Sequence, residues 1–150
     1  MAVNYTTNGP VGTVAGFSHR NNNTDANVTG GANVHTLVYD TEIFDTGGVM
    51  DGTTFTAPIT GKYLMIVNWS LDDLDAGSHT YIDGTIYTSN RNYHKYDFNK
   101  NLTGGIQNQH IGVIADMDAS DTAVVTINQV AGVQQMNISA NSTFSGFLVC

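Results

Sequence analysis

Nine residues, Tyr63 to Leu71, constrain this chain more than any other stretch. Positions 63, 65, 67, 69 and 71 are Tyr, Met, Val, Trp and Leu, and the positions between them are Leu64, Ile66, Asn68 and Ser70. A side-chain period of two belongs to a β-strand, whose successive residues point to opposite faces. One face is therefore expected to be buried along its whole length. The other is apolar only at its start, as suits a strand that packs partly against another subunit. Immediately upstream runs Phe55-Thr-Ala-Pro-Ile-Thr-Gly-Lys62. Pro58 lacks a backbone donor and stops a strand, and Gly61 is expected to turn the chain back into the core.

The rest of the chain reads the same way. Its 150 residues suffice for one domain with a proper core. No segment carries a convincing 3.6-residue apolar period, and short strands alternate with turn residues, the pattern of a sandwich or barrel. Residues 1–16 are small and polar around Gly9-Pro10 and Gly12, and are expected to form an extended arm ahead of a domain at 17–150. Asn21–Gly31, rich in Asn, Gly and Thr, is expected to be loop. Val34–Phe44 reads as a strand and Asp45–Gly52 as a turn-rich crossing. His79–Thr88 and Asn92–Phe98 read as strands around a Ser89–Arg91 turn. Gln107–Asp116 and Thr122–Val130 read as two more, around Met117–Asp121. Phe144–Val149 is apolar on both faces and is expected to be a central strand.

Charge excludes some partners. The net charge is −8, with only five Lys and Arg, so a phosphate backbone would be repelled and nucleic acid is not an expected partner. The longest apolar run, Tyr63–Val67, is far too short for a membrane-spanning helix. The first residues lack the basic and apolar regions of a signal peptide. Cys150, the single cysteine, allows no internal disulfide and reads as a small apolar filler at the end of a buried strand. The seven Asn-x-Ser/Thr sequons follow from the abundance of Asn and Thr; Asn68 lies inside the best core strand, where no glycan fits.

Two segments in order carry a resemblance. Phe55, five residues, then Gly61-Lys-Tyr63, followed some 80 residues later by Ser142-Thr-Phe-Ser-Gly-Phe-Leu148, resemble the C1q/tumour-necrosis-factor-like globular domain. Between them, Ala119-Ser-Asp-Thr-Ala-Val-Val125 is similar to that family's Gly-Asp-x-Val turn and strand. Asp40-Thr-Glu-Ile-Phe-Asp-Thr-Gly-Gly48 is similar to variants of the domain in bacterial and phage particle proteins. The resemblance covers about residues 30–150 and implies an all-β, ten-stranded antiparallel jelly-roll sandwich that assembles as a homotrimer. It implies structural or trimer-core roles for Phe55, Gly61, Tyr63, Phe144, Gly146 and Phe147. Leu64 and Ile66, on the second face of the central strand, join that set. Animal members are secreted behind a collagen stalk; this chain has no Gly-x-y repeat, and Gly47-Gly48 stands near an expected aromatic.

Three groups of residues are candidates for ligands. Arg91, Tyr93, Lys95 and Tyr96 lie in a stretch that holds three of the five positive charges and three aromatics, suited to stacking on sugar rings or contacting a receptor. Asp72, Asp73 and Asp75 share one turn, and Asp116, Asp118 and Asp121 another. Either offers oxygen ligands for calcium, without the spacing of an EF-hand loop. The five histidines show no metal-ligand spacing and read as ordinary strand residues, although His110 could stack on its symmetry mates at a threefold axis. No nucleophile elbow, phosphate loop or His-Glu-x-x-His motif is present. The expectation is a non-enzymatic virion protein, a trimeric capsid decoration protein held by its N-terminal arm. Its partners would be capsid or fibre proteins, and its place the particle surface without membrane insertion. The alternative is a receptor-binding fibre or tail tip that recognises a host glycan or surface protein.

Overall fold

The computed structural model describes residues 15–31, 33–75, 77–98 and 105–150, together with the backbone of 5–6 and 9–10. No helix occurs among them. Two short strands, β1 (Tyr5–Thr6) and β2 (Gly9–Pro10), pair with each other. The rest of the arm, residues 1–4, 7–8 and 11–14, lies outside the described residues.

Two antiparallel sheets face each other. The inner sheet is centred on β8 (Gly61–Asp72), the strand whose alternation is plainest in the sequence. Along one side runs β11 (Gln107–Met117), paired from end to end. Along the other lie β14 (Thr143–Leu148) and, continuing its row, β13 (Met136–Ile138). Beyond these come β3 (Gly16–Arg20) beside β14, and β4 (Asp25–Thr29) beside β13. The edge is β6 (Thr41–Thr46), paired to β3. The outer sheet runs from β10 (Asn92–Asp97) through β9 (Tyr81–Thr88) to β12 (Thr122–Val130). On the far side of β12, β5 (Val34–Thr36) and β7 (Thr54–Thr56) pair with different ends of it. This is an all-β, jelly-roll-like sandwich.

The core forms where the alternating faces meet. Tyr63, Met65, Val67, Trp69 and Leu71 are all buried. The two motif segments converge on one aromatic cluster. Phe17 stacks on Phe55 at 5.0 Å and meets Phe144 edge-on at 4.8 Å, while Tyr63 meets Phe55 edge-on at 5.2 Å. Offset and edge-on rings at these distances add to what burial alone supplies. The Tyr63 hydroxyl donates to the Ile59 carbonyl at 2.7 Å, which fastens the bend after Pro58.

Four expectations need correction. Asn21–Gly31 is not all loop, because β4 lies within it. That strand is polar and mostly half-exposed, with Asn27 at positive φ, so no apolar alternation marks it. It is held by side chains instead: Asn137 Oδ1 accepts from Asn27 N at 2.8 Å, and Gln134 Nε2 donates to the Asn27 carbonyl at 2.8 Å. Val34–Phe44 is not one strand. The chain leaves β5, buries Leu37 and Tyr39 while crossing between sheets, and resumes as β6. Gly61 is not a turn residue by backbone angle. It opens β8, where an added Cβ would stand 2.6 Å from Leu148 Cδ1 and 2.7 Å from the Cys150 carbonyl, so close approach is what requires glycine there. Cys150 is exposed rather than a buried filler, since the chain has left β14 by then.

Residues 15 and 16, expected with the arm, pack against the last strand. Ala15 is buried, its carbonyl accepts from Leu148 N at 3.0 Å, and Gly16 pairs with Phe147. Both residues belong to the sandwich rather than to the arm.

Candidate functional site

The outward face of the inner sheet is built by strict alternation. On β8 it presents Leu64, Ile66 and Asn68; on β14, Thr143, Ser145 and Phe147; on β3, Gly16 and Ser18. In register, Phe147 stands between Gly16 and Leu64, and Leu64 stands beside Ile114 of β11. One row further, Phe44 of β6, Ser18, Ser145, Ile66 and Gly112 line up across five strands of the sheet. Large side chains thus alternate with Gly and Ser, leaving knobs and hollows. The hollow between Phe44, Leu64, Ile66 and Phe147 has a volume of about 170 Å³. Phe44, Phe147 and Ile114 are 50%, 48% and 59% exposed. A monomer rarely leaves such a contiguous apolar surface in water.

The sequence-derived structural set therefore divides between two places. Phe55, Tyr63 and Phe144 fill the inside of the subunit. Leu64, Ile66 and Phe147 point out of it. Gly146 faces inward, where an added Cβ would meet the Phe17 ring at 2.8 Å and the Leu64 carbonyl at 3.0 Å. Phe44 and Ile114 complete the outward patch and were not among the expected residues. Their signal is the same alternation in Thr41–Thr46 and Gln107–Met117, which becomes legible only once the strand order is known.

The outer sheet carries a different surface. Pairing of β9 with β10 sets Asn92 opposite Tyr87, His94 opposite Thr85 and Tyr96 opposite Asp83. Tyr81, Asp83 and Tyr87 thus share the outward face with Asn92, His94 and Tyr96. His94 and Tyr96 stack at 5.3 Å with their planes 4° apart, and Tyr81 meets Tyr96 edge-on at 5.5 Å. Phe98 closes the row, 5.5 Å from Tyr81. The Asp83 carboxylate lies within the row, 3.1 Å from His94 Nδ1, and accepts from the Thr85 hydroxyl at 3.0 Å.

The expected contact stretch is accordingly split. Tyr96 is outward. Tyr93 and Lys95 lie on the opposite face of β10, where Tyr93 packs against the core and Lys95 Nζ donates to the Tyr96 carbonyl at 3.4 Å. Burial raises the Tyr93 phenol pKa. Arg91 sits in the turn, where its guanidinium contacts Asp116 at 3.0 Å. Tyr81 and Tyr87, on the other arm of the hairpin, were missed because a period of two on both arms reveals a common face only when the register is fixed.

The acidic turns do not gather their carboxylates. Asp75 Oδ2 accepts from Val133 N at 2.7 Å, Asp73 Oδ2 from Asn137 Nδ2 at 3.5 Å, and Asp72 Oδ1 from Asp73 N at 2.9 Å. Asp116 holds Arg91, and Asp121 Oδ2 accepts from Asp118 N at 2.8 Å. Among the described residues no group of three or more His, Cys, Asp or Glu is placed to hold a metal ion. Three histidines sit near carboxylates: His19 near Asp45, His35 near Asp25 and His94 near Asp83. His79 is buried and its Nδ1 donates to the Asp75 carbonyl at 2.9 Å. His110 is exposed on β11 opposite Asn68.

Comparison with known proteins agrees with this geometry. Residues 18–149 match the profile of the C1q domain family. The globular domain of zebrafish complement 1qA superposes with a TM-score of 0.64 at 17% identity, covering 91% of this chain and 98% of that one. Murine APRIL at pH 8.5 superposes with a TM-score of 0.62 at 10% identity, covering 91% and 99%. At these identities the likeness is one of fold. No curated protein matches the sequence.

Proposed function

The chain belongs to the C1q domain family, and on that premise we propose that it works as a non-enzymatic homotrimer on the surface of a virus particle. Domains of the C1q and TNF type typically form homotrimers and are generally non-enzymatic. The observation that carries the trimer is the patch of exposed Phe44, Ile66, Ile114 and Phe147 around half-buried Leu64 on one face of the inner sheet. Every 100 Å² of apolar surface withdrawn from water there contributes about 2.5 kcal/mol. Alternation of large side chains with Gly16, Ser18 and Gly112 gives the interdigitation that a dry contact needs.

The particle role rests on the Asp40–Gly48 segment, which resembles particle-protein variants of this domain, and on the extended N-terminal arm that the sequence leads us to expect. Ala15 enters the sandwich beside Leu148, its carbonyl accepting from Leu148 N at 3.0 Å. A segment there suits gripping a neighbouring shell protein, which is the decoration role. The outward rings of β9 and β10 favour a second reading, a receptor-binding fibre or tail tip.

Particle association is tested by sedimentation. The purified chain should pellet with purified virus particles, and deleting residues 1–14 should abolish attachment to capsids. Tail localisation by microscopy would favour the tip. Failure to pellet with particles of any kind would overturn both particle readings while leaving the trimer standing.

A further inference from the structure

We propose that the outward face of the β9–β10 hairpin is a binding site for a neutral glycan, whose pyranose rings stack along Tyr87, His94, Tyr96, Tyr81 and Phe98. The site needs only that this face stay open, which self-association through the other sheet allows. It does not depend on the particle role.

Ring geometry is the first support. His94, Tyr96 and Phe98 are alternate residues of one edge strand and its continuation, with centroids 5.3 and 6.4 Å apart. They form a row along the strand rather than a compact knot. Tyr81 meets both Tyr96 and Phe98 at 5.5 Å and props them from the neighbouring strand. The fixed rings lose little conformational freedom on binding. Tyr96 and Phe98 are 46% and 65% exposed, so their surfaces are open to a ligand. The face of an aromatic ring is electron-rich and attracts the electron-poor C–H groups of a sugar ring.

Polar groups among the rings are the second support. The Asp83 carboxylate lies in the row, both its oxygens within 3.2 Å of His94 Nδ1 and Oδ1 accepting from Thr85 at 3.0 Å. Asn92 stands opposite Tyr87, and Asn128 opposite Asp83 on the next strand. Tyr81, Tyr87 and Tyr96 on the same face each carry a phenol hydroxyl. Local desolvation, and after it the Asp83 carboxylate, raise the Tyr96 phenol pKa, so this group stays a neutral donor. Hydroxyl-rich ligands require such interleaved donors and acceptors, whereas a protein hot spot is a desolvated apolar centre ringed by a polar rim.

Charge decides the class of glycan. Lys95 points to the other face, and Arg91 is engaged by Asp116 at the end of the hairpin. Among the described residues no Lys or Arg faces the row, and the Asp83 carboxylate lies 3.1 Å from His94 Nδ1. The whole chain carries −8. A sulfated or sialylated chain would be repelled, whereas a neutral one meets no penalty.

The test uses the full-length purified protein against an array of neutral oligosaccharides with gluco-, galacto- and mannopyranosyl repeats. A heparin oligosaccharide serves as the anionic control, and hits are titrated by calorimetry. At least one neutral glycan should bind, with an affinity unchanged between low and high salt. Tyr96→Ala and Phe98→Ala should each weaken it at least about tenfold, and Tyr96→Phe should retain most of it. Far-UV circular dichroism and native mass should match the unsubstituted protein; if Tyr96→Ala fails to fold, Phe98→Ala decides. Absence of binding to every neutral glycan at about 1 mM would overturn the proposal. So would binding to heparin alone, a hit untouched by both alanine variants, or a face that takes a protein partner and no sugar. These outcomes are independent of sedimentation with particles, so the two proposals fail separately.

Discussion

The indole of Trp69 covers the backbone of Gly84: a Cβ added to that glycine would stand 2.5 Å from Cη2 and 2.8 Å from Cζ2. Trp69 lies on β8 in the inner sheet and Gly84 on β9 in the outer, so this contact sets how closely the two sheets approach. Gly84→Ala should therefore force the ring or a strand to shift and cost about 1–3 kcal/mol. Urea unfolding checks the cost. Trp69 is the only tryptophan, so its emission should also change in the folded variant.

Phe144 should behave as a core residue. It is fully buried and meets the rings of Phe17 and Tyr39 at 4.8 and 5.7 Å. Phe144→Ala should lower the stability of the subunit by about 3–5 kcal/mol. Chemical denaturation at several protein concentrations separates this loss from any change in assembly.

Tyr39 predicts an alkaline limb. Burial raises its phenol pKa well above the ordinary value, and its hydroxyl has no hydrogen-bond partner among the described residues. The unfolded chain releases that proton near pH 10, whereas the folded chain holds it. Stability is thus fully present below pH 10 and falls as the pH rises towards the folded-state value. Tyr39→Phe should flatten this loss, and at pH 7 should be neutral or stabilising by about 1 kcal/mol. Thermal unfolding of both proteins between pH 7 and 11 measures it.

The arm and the sandwich should part after residue 14. Deleting 1–14 should leave the melting temperature nearly unchanged. Deleting 1–16 removes the buried Ala15 and the Gly16 rung opposite Phe147, and should lower it by several degrees. Equal melting temperatures for the two truncations would contradict this boundary.

What was legible in the sequence followed from local alternation. Tyr63–Leu71 declared its buried face because five apolar residues recur at a period of two. Phe55, Tyr63 and Phe144 belong to one aromatic cluster, Phe144 joined to Phe55 through the ring of Phe17, although 89 positions separate Phe55 from Phe144. The remainder depends on pairing between distant strands. Phe44 and Ile114 lie in unrelated segments and become one surface with Phe147 only through the order β6-β3-β14-β8-β11. Tyr93 and Tyr96 look alike in a list of aromatics, yet odd and even positions of β10 face opposite ways. β4 escaped notice because only Val28 of it packs against the core, while amide side chains and its pairing with β13 hold it in place.

The most direct measurement is the native mass of the chain at about 10 μM, where a stable assembly stays associated, taken beside that of Phe147→Asp. The unsubstituted protein should give three chains. Phe147 is exposed in the subunit, so the variant should fold with the same circular dichroism and give one chain. An unsubstituted protein that is a folded monomer at this concentration, or a Phe147→Asp variant that stays trimeric, would contradict assembly through the outward face of the inner sheet.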